Sequence, residues 1–477
     1  MNRRALFSTL SAAALRSQTP PDRPNVLFYF PDQVRACDIG CYGGGHNAPT
    51  PNIDRLASQG VRFTNALSTF PLCTPYRAML HTGRLPSQTG VMMNWVNLRS
   101  NGDSLADTFA RAGYLTSFIG KWHLASGRET GRLKRDDPAP PPNRHSEFVP
   151  PGPARLGYQQ WHAYNFHMEF ARPYFYRDEP RRLLMPGYET DAETTIAREV
   201  MHGARANRQP FFVTVAPHPP HPPWRAEQTP PASLARIPRE LQWRPNVKAR
   251  RDSPTYDPRC YYGMLSNIDD NVGALLEYLE KNDLADNTIV VFTSDHGEMM
   301  ASHGRYEKMV PYAEAIDVPL IIRWPKRFRP GQVIDALATP IDHFPTLTAL
   351  CGLTPPAGLP GLNLFGPTHR DAALLMNYSS HWDFPETNTL WPEWRGVRTK
   401  QHTYVRWLNG AEELYDLVAD PYQMRNLATL KAPPAPLARL RQRLTQLLAE
   451  AKDDFRPGDQ YAAWFNAQRD IVRPPLP

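Results

Sequence analysis

Apolar residues in this chain come in short unbroken runs, and each run ends abruptly on polar side chains. "PNVLFYF" (24–30) leads into Asp32-Gln33, "YLTSFIG" (114–120) into Lys121 and His123, "PFFVTVA" (210–216) into "PHPPHPPW", and "TIVVFTS" (288–294) into Asp295-His296. Runs of this length without alternation are the pattern of strands buried on both faces, as in a parallel sheet. Between them lie stretches with helical period: "PNIDRLASQG" (51–60), stopped by Gly60 and followed by the strand "VRFTNAL"; "SLADTFARAG" (104–113); and a long helix inside "YGMLSNIDDNVGALLEYLEKNDLADN" (262–287). The alternation predicts a doubly wound α/β sheet. Ligands of such sheets gather beyond the carboxyl ends of the strands, so four strand ends are expected to bring Asp32, Lys121 with His123, His218 or His221, and Asp295 with His296 to one edge.

Past about residue 370 the pattern shortens to alternating segments around the turn "LNGAEE", then a helix from about Ala435 to Lys452. That predicts a small antiparallel sheet plus helix packed on the main domain. The organisation expected is a main domain over 23–370, a C-terminal subdomain over 371–460 and a tail over 461–477. Residues 1–20 pair Arg3-Arg4 with a short apolar run through Leu15, an export-signal pattern whose arginine pair suggests the twin-arginine route and a periplasmic or secreted protein. An amphipathic N-terminus left in place is the other reading. No later stretch is apolar for long enough to span a bilayer, so no stable membrane insertion is expected.

Composition changes this picture little. Hydrophobic residues at 41% and charged ones at 21% of 477 residues are ordinary for a globular chain. The 51 prolines cluster in "DDPAPPPNRHSEFVPPGPAR" (136–155), "APHPPHPPW" and "KAPPAPLAR", which read as extended loops. The net charge is +7, and loss of the three arginines in residues 1–20 leaves +4. The other basic residues are scattered, with no zinc-finger, RNP or helix-turn-helix pattern, so no nucleic-acid partner is expected. Five cysteines make an odd set: Cys37 and Cys41 could pair or be buried as small apolar residues, no CxxC zinc pattern occurs, and Cys73 has a chemical context in "FPLCTPYRAMLHTGR" (70–84).

Asp32, Asp295 and His296 are hard or borderline ligands on two strand tips, and with Gln33 they suit a divalent cation. Arg77, Lys121 and His123 suit an oxyanion, arginine through its fork and lysine as a point charge. Together they describe a site that cancels substantial negative charge, as sulfuryl or phosphoryl transfer requires.

"CTPYRAMLHTGR" resembles the C-x-P-x-R…T-G-R signature of the formylglycine-dependent sulfatases, and "GKWHL" and "TSDHGE" resemble two further blocks of that family. "RPNVLFYFPDQ", "TPNIDRLASQGVRFTNA", "EAIDVPLIIRWP" and "EELYDLVADPYQMRNLA" extend the similarity in family order from residue 23 to about 428. The resemblance implies an alkaline-phosphatase-like α/β/α sandwich with a mostly parallel sheet. It implies that a maturation enzyme oxidises Cys73 to Cα-formylglycine, whose hydrate attacks sulfur through one hydroxyl and expels sulfate through the other. Asp32, Gln33, Cys73, Asp295 and His296 would be the metal ligands, with calcium the first candidate and manganese the second, because Gln33 stands where many members have an aspartate. Arg77 and Lys121 would hold formylglycine and sulfate, and His123 would be the base that breaks down the hemiacetal. His221, favoured over His218, and Lys308 would contact sulfate and protonate the leaving oxygen, and Asn94 resembles an asparagine near the site in some relatives.

Two rivals remain at this point: a phosphonate monoester or phosphodiester hydrolase with the same formylglycine and metal, and a non-catalytic protein that binds sulfated glycans on the same fold. Aromatic and basic stretches, "WHAYNFHMEF" (161–170), "PHPPHPPWR" and "NYSSHWDFPETNTLWPEWR" (377–395), favour a sulfated carbohydrate as substrate, with His381, Trp382 and Arg395 as subsite candidates.

Overall fold

The computed structural model describes residues 23–126, 148–248, 256–378, 393–466 and 468–472. Ten of its strands precede residue 340: β1 (Asn25–Tyr29), β2 (Val61–Ala66), β3 (Leu115–Lys121), β4 (Gln160–Tyr164), β5 (Tyr174–Phe175), β6 (Leu183–Leu184), β7 (Phe211–Ala216), β8 (Thr288–Thr293), β9 (Leu320–Arg323) and β10 (Gln332–Ala338). Eight of these form one sheet in the order β10-β2-β9-β8-β1-β7-β3-β4, and β5 and β6 make a separate two-stranded ribbon. β1 is central, with Val26 level with Phe212 of β7 on one side and Ile289 of β8 on the other, both parallel. β9 alone runs antiparallel, against β2 and β8.

Every residue of β1 is buried because each face of the sheet carries helices. Val26, Phe28 and Phe30 enter a core shared with the helices Cys73–Thr82, Leu105–Arg111 and His343–Leu350. Leu27 and Tyr29 point the other way, into a core built with the helices Pro51–Gln59, Glu189–Ala206 and Pro258–Lys281. Two cores on two faces explain why these strands show no polar alternation. Among the described residues no helix is long and apolar enough to cross a membrane.

The C-terminal part is a four-stranded antiparallel sheet, β11 (Ala373–Asn377), β12 (Trp394–Arg398), β13 (His402–Trp407) and β14 (Glu412–Asp416), in that order. The helix Pro436–Glu450 lays Leu437, Leu440, Leu444, Leu447 and Leu448 against it, in a core that also takes Phe70, Leu72 and Met79 from around Cys73. Met376 N donates to Thr69 O at 2.8 Å, and the Trp394 indole donates to Met309 O at 2.9 Å, so this subdomain grips segments on either side of the future site. Within the segment expected as a tail, Tyr461 and Trp464 are buried in the same core, and Asp470 bridges to Asn97.

Arg395 is not a subsite residue. On β12 its side chain is 0% exposed, paired with Asp453, donating to Asn377 O at 2.8 Å and stacked 3.7 Å from the Tyr378 ring centroid. An arginine with every donor direction enclosed is a structural cation and has nothing left for a ligand. His381 and Trp382 lie outside the described residues. Cys37 and Cys41 are free thiols, as are the other three cysteines.

Two predictions follow from burial. Asp453→Asn leaves the Arg395 charge unpaired in the core and is expected to lower unfolding free energy by about 3–5 kcal/mol, read from urea denaturation midpoints. His81, boxed by Phe30, Phe118, Trp122 and Tyr158, is pushed down to about 3 by burial and then by Arg77. His343, edge-on to Phe28, is pushed down to about 4 by burial. The folded chain refuses protons that the unfolded chain accepts, so these groups contribute fully above about pH 6.5 and progressively less as pH falls toward 4. Each steepens acid destabilisation by up to about 1.4 kcal/mol per pH unit, and His343→Gln is expected to flatten the measured slope by about one proton.

Candidate active site

Five strands end at the same edge, and the chain beyond each is locked by backbone contacts. Past β1, Asp32 N donates to Pro217 O beyond β7 at 3.0 Å, and Gln33 N donates to Asp295 Oδ1 beyond β8 at 3.1 Å. Past β2, the chain turns into the helix that starts at Cys73. Gly120 precedes Lys121 with φ +101°, and a Cβ there would stand 2.4 Å from Ala216 O. At Gly297, after His296, a Cβ would stand 1.9 Å from Glu314 O. Only glycine lets these backbones approach, which fixes where the neighbouring lysine and histidine emerge.

At the centre, one ligand atom each from Asp32, Cys73, Asp295 and His296 all lie within 4.8 Å of one another, and all four residues are buried. Cys73 Sγ is 3.2 Å from His296 Nε2 and 3.6 Å from Lys121 Nζ. Arg77, one turn along the helix from Cys73, reaches Asp295 Oδ2 through Nη2 at 3.0 Å, Asp32 Oδ2 at 3.3 Å and Lys121 O at 2.6 Å. Lys121 Nζ donates to Asp32 Oδ2 and lies 3.0 Å from His218 Nε2. Behind Gln33, Lys308 Nζ is 3.1 Å from Glu307 Oε2 and 3.4 Å from His221 Nε2.

The donor set fits a hard divalent cation. Asp32 Oδ1 is buried without a hydrogen-bond partner, and His296 holds its Nδ1 3.0 Å from Gly297 O, which leaves Nε2 facing the cluster. Burial alone would lower the His296 pKa, but Asp295, the Cys73 sulfur and Asp32 outweigh it and raise it to about 9, the response of an imidazole set among anions. Burial would raise Asp32, but Lys121, His221, His296 and Arg77 hold it well below the usual carboxylate range.

The histidines beyond the cluster are pressed the other way. His123 is held well below its ordinary value by burial, then by Lys121 and Arg77. His218 is lowered by burial and then Lys121, and His221 falls to about 3 through burial and then Lys308. All three are neutral imidazoles at physiological pH, set beside the side chains of Lys121 and Lys308.

The structure brings Asp32, Cys73, Arg77, Lys121, His123, His221, Asp295, His296 and Lys308 to one edge. It brings in both candidate histidines, His218 beside Lys121 and His221 beside Lys308. The Gln33 side-chain carbonyl accepts from Lys308 at 2.9 Å and its amide donates to Glu298. Asn94 is beside the site with its Oδ1 accepting from Thr74 N at 3.0 Å, where it satisfies an amide at the start of the Cys73 helix. Sequence reasoning missed Glu298, which carried no cue beyond its place after Asp295-His296, and Trp95 and Phe166, which pack against the His123 ring at 4.7 and 4.8 Å. Phe166 had a cue in the aromatic density of "WHAYNFHMEF".

A thiol beside paired carboxylates and two cations, at the carboxyl edge of a mostly parallel sheet between helices, defines an alkaline-phosphatase-like hydrolase. The chain belongs to the sulfatase family, whose members are sulfuric ester hydrolases: residues 24–353 match the sulfatase family model, and 301–450 match that of the N-sulphoglucosamine sulphohydrolase C-terminal region. It is 31% identical over 480 residues to an ulvan-active sulfatase of Formosa agariphila, covering 97% of this chain and 88% of that one. An endo-4-O-sulfatase of Bacteroides thetaiotaomicron is 29% identical over 85% of this chain and 88% of its own. Among solved structures, a putative sulfatase from Bacteroides fragilis superposes with a TM-score of 0.79 at 27% identity, covering 94% of this chain and 99% of that one.

If Asp32, Asp295 and His296 hold a divalent cation, stripping with EDTA lowers the melting temperature and millimolar Ca2+ or Mn2+ restores it. The gain is expected to reach about 2.7 kcal/mol at a hundredfold excess over Kd and to vanish in Asp295→Asn, measured by thermal scanning.

Proposed function

We propose that this protein hydrolyses sulfate esters of a sulfated carbohydrate, with Cα-formylglycine made from Cys73 by a maturation enzyme and a divalent cation, calcium first and manganese second. The observation that carries the reading is the position of Cys73, whose Sγ stands 3.2 Å from His296 Nε2 and 3.6 Å from Lys121 Nζ, inside the group of possible metal ligands. The cation, held by Asp32, Asp295 and His296, would supply Lewis acidity toward a sulfate oxygen and toward a hydroxyl at position 73. The aldehyde, as its hydrate, would supply a nucleophilic hydroxyl for sulfur and a second hydroxyl through which sulfate is released.

The remaining chemistry belongs to residues of this chain. Arg77 is tied to Asp32, Asp295 and the Lys121 carbonyl, so it fixes the side chains around position 73 and offsets their charge. Lys121 presents an ammonium to the oxygens of the sulfuryl group. His123 is neutral, and neither ring nitrogen has a hydrogen-bond partner, so it is free to take the proton lost from position 73. Lys308, kept protonated chiefly by Glu307, with His221 beside it, offers the proton that the departing alcohol needs.

The carbohydrate class is supported by the ulvan-active and endo-4-O-sulfatase relatives. A periplasmic or secreted location, reached through a signal in residues 1–20, suits a polymeric substrate that stays outside the cell. The test is the mass of the tryptic peptide "FTNALSTFPLCTPYR" (63–77) from protein co-expressed with a maturation enzyme. The expected result is the aldehyde or its hydrate at Cys73, hydrolysis of an aryl sulfate and of sulfated oligosaccharides, and at least about a 10³-fold loss of kcat in Cys73→Ala. An unmodified thiol, in cells where a control sulfatase matures, would sink the reading.

A further inference from the structure

Phe166 stands two residues beyond β4, partly exposed, at the junction of three strand ends. The Lys121 ammonium lies 4.9 Å from its ring centroid. The rings of His123, His218 and His221 lie 4.8, 4.9 and 5.9 Å away, tilted at 41°, 64° and 88°. One phenyl ring therefore touches four of the polar groups that surround the reaction centre, and Trp95 packs edge-on against it at 5.1 Å.

The backbone beneath this ring is clipped in place. His123, at φ +56°, donates its N–H to Asn165 O at 2.8 Å, and its own carbonyl accepts from Thr74 Oγ1 at 2.7 Å. The Asn165 side chain exchanges hydrogen bonds with Ala125, accepting at 3.1 Å and donating at 2.9 Å. The imidazole of His123 is fixed differently: it is buried with both nitrogens unpartnered, so no hydrogen bond sets its χ angles. The rings packed against it are aromatic: Trp95 and Phe166, which also touch each other. Trp95 meets the imidazole edge-on at 69°, whereas Phe166 lies against it tilted at 41°; aromatic rings packed this closely restrict how each can turn, and a ring face attracts an ammonium, which an aliphatic side chain of similar volume does not.

We propose that Phe166 is a positioning residue for sulfate ester hydrolysis, its ring helping to aim the His123 imidazole, which no hydrogen bond anchors, at the reacting oxygen. The inference rests on the sulfatase reading above. Phe166 touches neither the expected metal ligands nor position 73 in any described contact, so it acts through its neighbours.

The experiment compares Phe166→Ala, Phe166→Leu, Phe166→Tyr, His123→Ala and the Phe166→Ala/His123→Ala double variant with wild type on an aryl sulfate. Each protein is first matched for formylglycine content by peptide mass and for melting temperature. Expected are a fall in kcat of at least tenfold for Phe166→Ala and Phe166→Leu with KM within threefold, and Phe166→Tyr within threefold of wild type. On the His123→Ala background, Phe166→Ala is expected to cost less than threefold more, because the group it aims is gone. The proposal is overturned if Phe166→Ala or Phe166→Leu keeps wild-type kcat, if the loss falls on KM alone, or if the two substitutions multiply. A wild-type protein that carries formylglycine and leaves sulfate esters intact would instead sink the sulfatase reading, and this inference with it.

Discussion

Two carboxylates, Asp32 and Asp295, and two cations, Arg77 and Lys121, sit together with 0% side-chain exposure where the strands of the main sheet end. Charges so fully removed from water persist only where each meets its opposite and finds hydrogen bonds. That requirement constrains the surrounding fold. β1 and β8 must be neighbours for the carboxylates to share Arg77, and β3 must end level with them for Lys121 to arrive. The helix from Cys73 must lie over their tips, so that one turn carries both the cysteine and the arginine that offsets the acids.

Much of this was legible in the sequence because the relevant signals are local. An unbroken apolar run that stops on Asp, Lys or His marks a buried strand and its tip. Less legible were features that depend on a distant partner. The four residues of β9 read as a buried strand in either direction, and nothing in them encodes their antiparallel insertion between β2 and β8. Arg395 lies in an aromatic, basic stretch that suggests a binding loop, and its pairing with Asp453 depends on a helix that ends some fifty residues later. The partners of the Gln33 side chain, Lys308 and Glu298, come from a loop more than 260 residues away, which its own position in the sequence does not announce.

The C-terminal subdomain is more than an appendage. Its hold on Thr69 braces the approach to Cys73, and its hold on Met309 braces the residue after Lys308. The segment bearing Cys73 and the loop bearing Lys308 are thus braced by one small sheet, whose own stability depends on the Arg395–Asp453 pair at its base. A substitution in that sheet can reach the chemistry without touching it.

Cys73 is 1% exposed, at the start of a helix whose first nine residues are all buried. An enzyme that must grip the chain around that thiol has no access to it once the helix has docked. The conversion proposed for Cys73 would therefore have to precede the docking of that helix. On that reading a molecule that folded first would keep its thiol, and the active fraction of a population would record which of the two events came first.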